Sequence, residues 1–304
     1  MKECFETILK CKVNDKYGGK TVEKILRNKF DVSGSLIKEL KLNGRIYINE
    51  NVCRSVDVAH FGDTVSANVG EYKFSDIPMC PGEPEILFED AHLMVVNKPP
   101  GISVHPSIGN YNKTLAGMVI RHWRRNGEEH NFHAVNRLDK DTSGLCLIAK
   151  NKYSHYILSK QQQSGIIKKK YEAIVHGRIN NPGEINLPIK RAEEGIIKRT
   201  VSPDGKPAFT KFKPICGNDV YTLTELELLT GRTHQIRVHM ASIRHPLFGD
   251  WLYGNGDGEK SLISRQALNV SKLSFVHPIT KESGEFTAGL PRDMKILIEN
   301  LQKL

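Results

Sequence analysis

The residues of this chain best placed for chemistry lie between His133 and Leu145, where Arg137, Leu138 and Asp139 run into Asp141, Thr142, Ser143 and Gly144. That last group has strong turn character, because Asp and Ser bond to nearby backbone and Gly accepts dihedrals other residues avoid. If residues 135–139 are extended, Arg137 and Asp139 point to the same side of the chain. A carboxylate so placed could be held ionised by a nearby guanidinium. The segment also reads as an ordinary turn acid bonded to local amides, and the residues alone leave both readings open. Tyr171 opens an apolar strand pattern with Ala173 and Val175, which suits a core tyrosine. Arg237 falls in a helical pattern over 233–243, where an exposed position would be ordinary. His234 and His239 flank it at a spacing of i and i+5, which does not put both on one helical face, so a metal site is not expected.

These residues need a scaffold, and the pattern along the chain predicts one. Ile86–Phe88 and Leu93–Val96 flank residues 89–92 as a hairpin; Leu145–Ala149, Tyr171–Val175 and Tyr221–Leu229 are further strands. Ser154–Gln163 and Thr233–Ile243 look helical. Runs of strands with helices outside them predict an α+β domain on a mostly antiparallel, mixed sheet with flanking helices. Residues 70–84 hold three prolines and lack periodicity, so they read as a linker. Before it, residues 19–68 form a compact module. Val22, Ile25 and Leu26 make one helical stripe, and Leu36, Ile37 and Leu40 a second, with Ser33 as N-cap and Asn43-Gly44 as the stop. Arg45–Asn49 is a short strand. Lys20, Lys24 and Arg27 fall on one face of the first helix, and Lys38 and Lys41 charge the second. The division is therefore 1–69, a linker over 70–84, and 85–304.

Composition narrows the class. The 304 residues are 39% hydrophobic and 26% charged, and 44 Lys and Arg against 34 Asp and Glu leave a net charge of +10. Such a surplus favours a polyanion, with nucleic acid the usual one. No apolar run reaches membrane-spanning length, and the N-terminus, which carries two acids, lacks the apolar stretch of a secretory signal, so a cytoplasmic protein is expected. Six scattered cysteines (Cys4, Cys11, Cys53, Cys80, Cys146 and Cys216) form no close pair and read as buried or incidental thiols. Gly18-Gly19-Lys20-Thr21 lacks the first half of a phosphate-cradling loop, which argues against phosphoryl transfer.

Several segments, taken in order, resemble one family. Arg137-Leu138-Asp139 followed by Thr142-Ser143-Gly144-Leu145 resembles the catalytic motif of the RluA/RluC/RluD pseudouridine synthases. Asn97-Lys98-Pro99-Pro100-Gly101 with Val104-His105-Pro106 resembles their first motif, and Lys170–Gly177 their Lys-x-Tyr region. The run Gly231–His239 is similar to the third motif, with Gly249-Asp250 and Tyr253-Gly254 after it, and His277-Pro278 resembles the closing one. The match spans roughly residues 85–290. The helix-helix-strand module resembles the small alpha-L RNA-binding domain of a small-subunit ribosomal protein, which precedes the catalytic domain in many such enzymes. One departure is Asn136, where relatives often carry His.

The resemblance implies an isomerase that breaks the N-glycosidic bond of uridine, rotates the base and rejoins it through carbon 5. No redox step or phosphoryl transfer occurs, so neither cofactor nor metal is expected. Asp139 is implied as the catalytic carboxylate, with Arg237 beside it favouring the ionised form. Tyr171 is implied to stack on the target base, its hydroxyl serving as a proton acceptor near carbon 5. Asn136, Arg137, Thr142 and His234 are assigned to substrate binding, and Lys20, Lys24, Arg27, Lys38, Lys41 and Arg45 to RNA contacts of the module. The expected partner is structured RNA, ribosomal RNA ahead of transfer RNA, and the expected state is a monomer with no membrane association.

Overall fold

The computed structural model describes residues 7–70, 76–107 and 111–303. Linker residues 71–75 and residues 1–6, with Cys4, lie outside these. The N-terminal part runs β1 (Ile8–Lys12), β2 (Lys20–Thr21), α1 (Val22–Phe30), α2 (Gly34–Leu42), β3 (Ile46–Ile48), β4 (Asn51–Val52), β5 (Val58–Ala59) and β6 (Thr64–Asn68). Both helices start as side-chain chemistry dictates. Thr21 Oγ1 accepts the N–H of Lys24, Ser33 Oγ accepts that of Leu36, and each satisfies an amide that the first turn leaves free. The apolar stripes of the helices bury Val22, Ile25, Leu26, Leu36, Ile37 and Leu40 against the β1-β6-β3-β4 sheet.

The larger part comprises β7 (Glu85–Glu89), β8 (Leu93–Lys98), α3 (Leu115–Arg125), β9 (His133–Ala134), β10 (Ser143–Ala149), α4 (Lys152–Gln163), β11 (Lys168–His176) and β12 (Gly183–Asn186). It continues through β13 (Ile189–Arg191), β14 (Arg199–Val201), β15 (Phe209–Gly217), β16 (Tyr221–Leu228), α5 (Gln235–Ser242), β17 (Leu268–Val276), β18 (Ser283–Thr287) and α6 (Arg292–Leu301). The main sheet has the order β12-β15-β16-β11-β17-β10-β8-β7, with β18 on β17 and β9 on β10. Pairing is antiparallel except between β10 and β17, so the α+β, mostly antiparallel mixed sheet is as expected.

That one parallel junction positions the reactive loop. β10 is buried along its whole length, and Ser143 and Gly144 pair with Asn269 and Val270. Gly144 has φ +106°, and a β-carbon there would overlap the backbone nitrogen and oxygen of Val270. Only glycine meets both demands. Ser143 Oγ donates to Asn269 Oδ1 at 2.8 Å, pinning the same crossing.

The two parts touch through α4. Tyr153 and Ile157 of that helix are buried with the N-terminal core, and Tyr153 Oη donates to the Phe30 carbonyl at 2.7 Å. Lys152 pairs with Glu39 and Lys160 with Asp31 around this contact. The second half of the Pro-rich segment is docked as well, with Ile77 and Cys80 buried. Among the described residues no helix is long and apolar enough to cross a membrane. Cys11, Cys80 and Cys146 are buried, Cys53 is half-buried and Cys216 exposed, and all five are free thiols.

Candidate active site

Residues 135–142 form no strand: the chain bends at Val135 and Asn136 and turns again at Lys140 and Asp141. The loop is held mainly through its backbone, by side chains from distant elements. Lys98 at the end of β8 is fully buried, and its ammonium donates to the carbonyls of Pro99, Ile102 and Lys140 at 2.9 Å each. Burial lowers its pKa to about 8, so the three carbonyls are what make a charge tolerable there. Arg265 donates to the Asp141 carbonyl at 3.0 Å while its other nitrogens hold Asp293. Asn136 bridges to β10: its Nδ2 donates to Leu145 O and its Oδ1 accepts Leu147 N–H at 2.7 Å.

This scaffold leaves the Asp139 side chain about one-third exposed, at 35%, on the wall of a cavity of about 1020 Å³. Tyr171 from β11 and His234 and Arg237 from the start of α5 line the same space, as does Arg137. Arg237 is buried, not exposed, and its guanidinium is clamped by Asp250, with Nε to Oδ2 at 2.7 Å and Nη2 to Oδ1 at 2.8 Å. Its Nη1 is 3.7 Å from Asp139 Oδ2. Burial opposes the charge on Arg237, but the hydrogen bonds and charge of Asp250, with Asp139 behind them, hold its pKa above the ordinary value. The cation facing Asp139 is thus Arg237 rather than the neighbouring Arg137, whose side chain is exposed at the cavity rim.

The entrance to α5 explains how Arg237 is aimed. His234 is the N-cap with φ 57° and ψ 19°, a left-handed conformation, and makes no side-chain cap bond. Gln235 does the work instead: its Oε1 accepts the Arg232 N–H and the Thr230 hydroxyl, and its Nε2 donates to Phe209 O and Thr210 Oγ1. His239, one turn beyond, is fully buried and bonded to Thr210 and the Leu187 carbonyl, so it braces the helix. His234 Nδ1 meets Tyr253 Oη at 2.9 Å, and its Nε2 is 3.8 Å from Asp139 Oδ2.

Several expectations need correction. Asn136 is buried and spends its amide on β10, so it shapes the loop and does not reach a substrate. Thr142 borders the cavity, but it is buried and its hydroxyl accepts from Gln266 Nε2 at 3.3 Å, a structural bond. Tyr171 combines both of its readings, a core residue that also lines the cavity. Burial, then Asp139 and Cys146, push its pKa upward, so the phenol stays neutral and is poorly suited to take a proton from carbon 5. On the module, Lys24, Lys38 and Lys41 are exposed, and Arg27 is exposed but paired with Glu23. Lys20 lies on β2 before the helix, not on it. With Lys16 and Lys29 it surrounds the Tyr17 ring at 5.5–5.8 Å, a cluster that residue spacing did not suggest because its members come from different elements. Arg45 is half-buried and donates to the Gly70 carbonyl at 2.7 Å, tying down the module's exit. Asp250, Lys98 and Tyr253 stand in the sequence motifs, but their partners come from distant elements and no local spacing marks their roles.

The arrangement offers an accessible carboxylate with a buried cation facing it, a neutral aromatic wall and space for a base and its neighbours. Comparison with known proteins agrees with that chemistry. Residues 92–242 match the RNA pseudouridylate synthase family. The chain is 42% identical to "Uncharacterized RNA pseudouridine synthase YjbO" of Bacillus subtilis over 271 residues, 88% of this chain and 95% of that one. It is 35% identical to "Ribosomal large subunit pseudouridine synthase D" of Vibrio vulnificus over 309 aligned positions, covering 96% and 94% of the two chains. Among solved structures, "Human RNA Pseudouridylate Synthase Domain Containing 1" superposes with a TM-score of 0.58 at 24% identity, covering 74% of this chain and 98% of that one, which shows a shared fold.

Proposed function

The chain belongs to the RNA pseudouridine synthase family, in its RluA/RluC/RluD branch, and is an isomerase of uridine in RNA; we propose that it acts on ribosomal RNA with Asp139 as the catalytic carboxylate. The observation that carries the role of Asp139 is its setting: a loop carboxylate open to the cavity, 3.7 Å from a guanidinium that Asp250 holds in place. In that position Asp139 can attack the anomeric carbon of the ribose or remove the neighbouring ribose proton, and both routes need the ionised form. The target uridine leaves its stack to enter the cavity, which costs a few kcal/mol in a duplex and less in a loop. Stacking on the neutral Tyr171 ring returns roughly 1–3 kcal/mol.

Ribosomal RNA is favoured by the likeness along nearly the whole chain to enzymes named for the large ribosomal subunit. The N-terminal module, read as an alpha-L RNA-binding domain over 1–69, adds phosphate contacts through Lys24, Lys38, Lys41 and the lysines around Tyr17. Such contacts position a protein on a large folded RNA without reading its sequence. The protein works as a monomer in the cytoplasm on this reading. The test is tritium release from RNA labelled at carbon 5 of uracil, with unmodified ribosomal and transfer RNA supplied separately. Release from ribosomal RNA by the wild type and none by Asp139→Asn is the expected result. Release from transfer RNA alone would overturn the substrate, and an active Asp139→Asn enzyme would overturn the nucleophile.

A further inference from the structure

We infer that Tyr253 is a positioning residue for Asp139, acting through His234, whose imidazole it holds in the tautomer that turns an N–H toward the carboxylate. The inference rests on Asp139 being the reacting group. Tyr253 Oη accepts the backbone N–H of Arg199 at 2.8 Å and lies 2.9 Å from His234 Nδ1. His234 Nε2 is 3.8 Å from Asp139 Oδ2. A line of polar groups therefore runs from β14 through Tyr253 and His234 to the reactive loop.

Two neutral imidazole forms fit this line. With the proton on Nδ1, the phenol oxygen receives two N–H groups, its own proton has no acceptor along the line, and the Nε2 lone pair faces a carboxylate. With the proton on Nε2, the phenol donates to Nδ1 and an N–H faces Asp139. Only the second form matches each donor with an acceptor. Burial lowers the His234 pKa against the pull of Asp139 and Asp250, with Arg237 and Arg199 adding to the lowering, which favours the neutral ring, whose tautomer decides what it presents.

Tyr253 is itself fixed. The Arg237 guanidinium lies over its ring at 5.1 Å, and Asp250 Oδ1 accepts the N–H groups of Leu252 and Tyr253 at 3.0 and 3.1 Å. Asp250 thus orients both the cation beside Asp139 and the phenol behind His234. His234 adopts its left-handed backbone at some strain, which persists only where the surroundings over-determine it. At 3.8 Å the contact to Asp139 is longer than a hydrogen bond. Such contacts are commonly long in a free enzyme and tighten with substrate bound.

The test uses the full-length enzyme and ribosomal RNA tritiated at carbon 5 of uracil under single-turnover conditions. Tyr253→Phe is expected to slow the reaction about 10- to 100-fold, the scale of a misplaced reacting group, with RNA affinity held within about twofold. His234→Gln, which removes the imidazole, is expected to slow the reaction on the same scale. Adding Tyr253→Phe to His234→Gln is expected to cost little more, since no imidazole is left to orient. Nitrogen-15 spectra of histidine-labelled wild type should show His234 protonated on Nε2, a readout that stands even if a variant misfolds. A wild-type ring protonated on Nδ1, or an equal penalty for Tyr253→Phe with and without His234, overturns the inference. An inactive Asp139→Asn enzyme beside a Tyr253→Phe enzyme of wild-type rate sinks this inference alone, whereas an active Asp139→Asn enzyme sinks the reading beneath it as well.

Discussion

Asp250→Asn puts the electrostatics of the site under the most direct strain. Arg237 has two carboxylates within reach, Asp250 at 2.7–2.8 Å and Asp139 at 3.7 Å. At an effective dielectric of about 20, the gross attractions are roughly 6 and 4 kcal/mol. Asp250 therefore wins, and its bidentate geometry keeps the guanidinium from closing on the reactive carboxylate. In Asp250→Asn the stronger attraction is gone while the buried cation remains. Arg237 should swing toward Asp139, form a direct ion pair and blunt its reactivity. Breaking a buried pair by neutralising one partner costs about 3–5 kcal/mol. Asn keeps one acceptor oxygen, so the low end applies, and about 3 kcal/mol corresponds to a fall in Tm of roughly 5 °C for a chain of this size. Calorimetry would measure the first effect and single-turnover tritium release the second, with a rate loss of about 100-fold expected from the displaced cation. An Asp250→Asn enzyme that unfolds within about 1 °C of the wild type and reacts within about threefold of it would refute this account of how Arg237 is held.

Other perturbations test the scaffold and the RNA surface. Gly144→Ala should part β10 from β17, because its methyl meets the Val270 backbone at a φ only glycine tolerates; a soluble variant with unchanged Tm would contradict this. Lys98 supplies a pH signature: above its native pKa of about 8 the folded state has released a proton that the unfolded chain keeps up to 10.5, so stability from this group rises with pH across that interval. The increment approaches about 3 kcal/mol at 1.36 kcal/mol per pH unit. Denaturant titrations from pH 7 to pH 10 should show it in the wild type and not in Lys98→Met, and parallel curves would refute it. Arg137→Ala should weaken RNA binding or turnover, measured separately, because the side chain stands exposed at the cavity rim. Removing residues 1–70 should weaken RNA binding and flatten its dependence on salt, which filter binding across a salt series would reveal. The truncated domain exposes Tyr153 and Ile157 and should aggregate unless both are made polar.

Much of the molecule could be read from neighbours along the chain. The cap at Ser33, the hairpin around Asp90 and the alternating strands obey rules that operate over a few residues, and they emerged much as expected. A turn next to Asp139 was legible for the same reason, since turn chemistry is local, but it closes over 139–142, and Ser143 and Gly144, expected in it, open β10. What could not be read was where charges and polar groups finish. Arg237 looked like an ordinary helical arginine until the fold buried it between Asp250 and Asp139. Asn136 was expected to face substrate, yet the bend at 135–136 turns its amide onto β10. Lys20 sits on a strand beside Tyr17 and not on the first helix, and Arg45, expected as an open contact for RNA, clasps Gly70. Gly144 read as a turn glycine, while its stricter demand comes from Val270, far away in the chain. Side-chain partners across such separations are set by how the sheet closes, above all by the single β10–β17 junction, and no local preference encodes that.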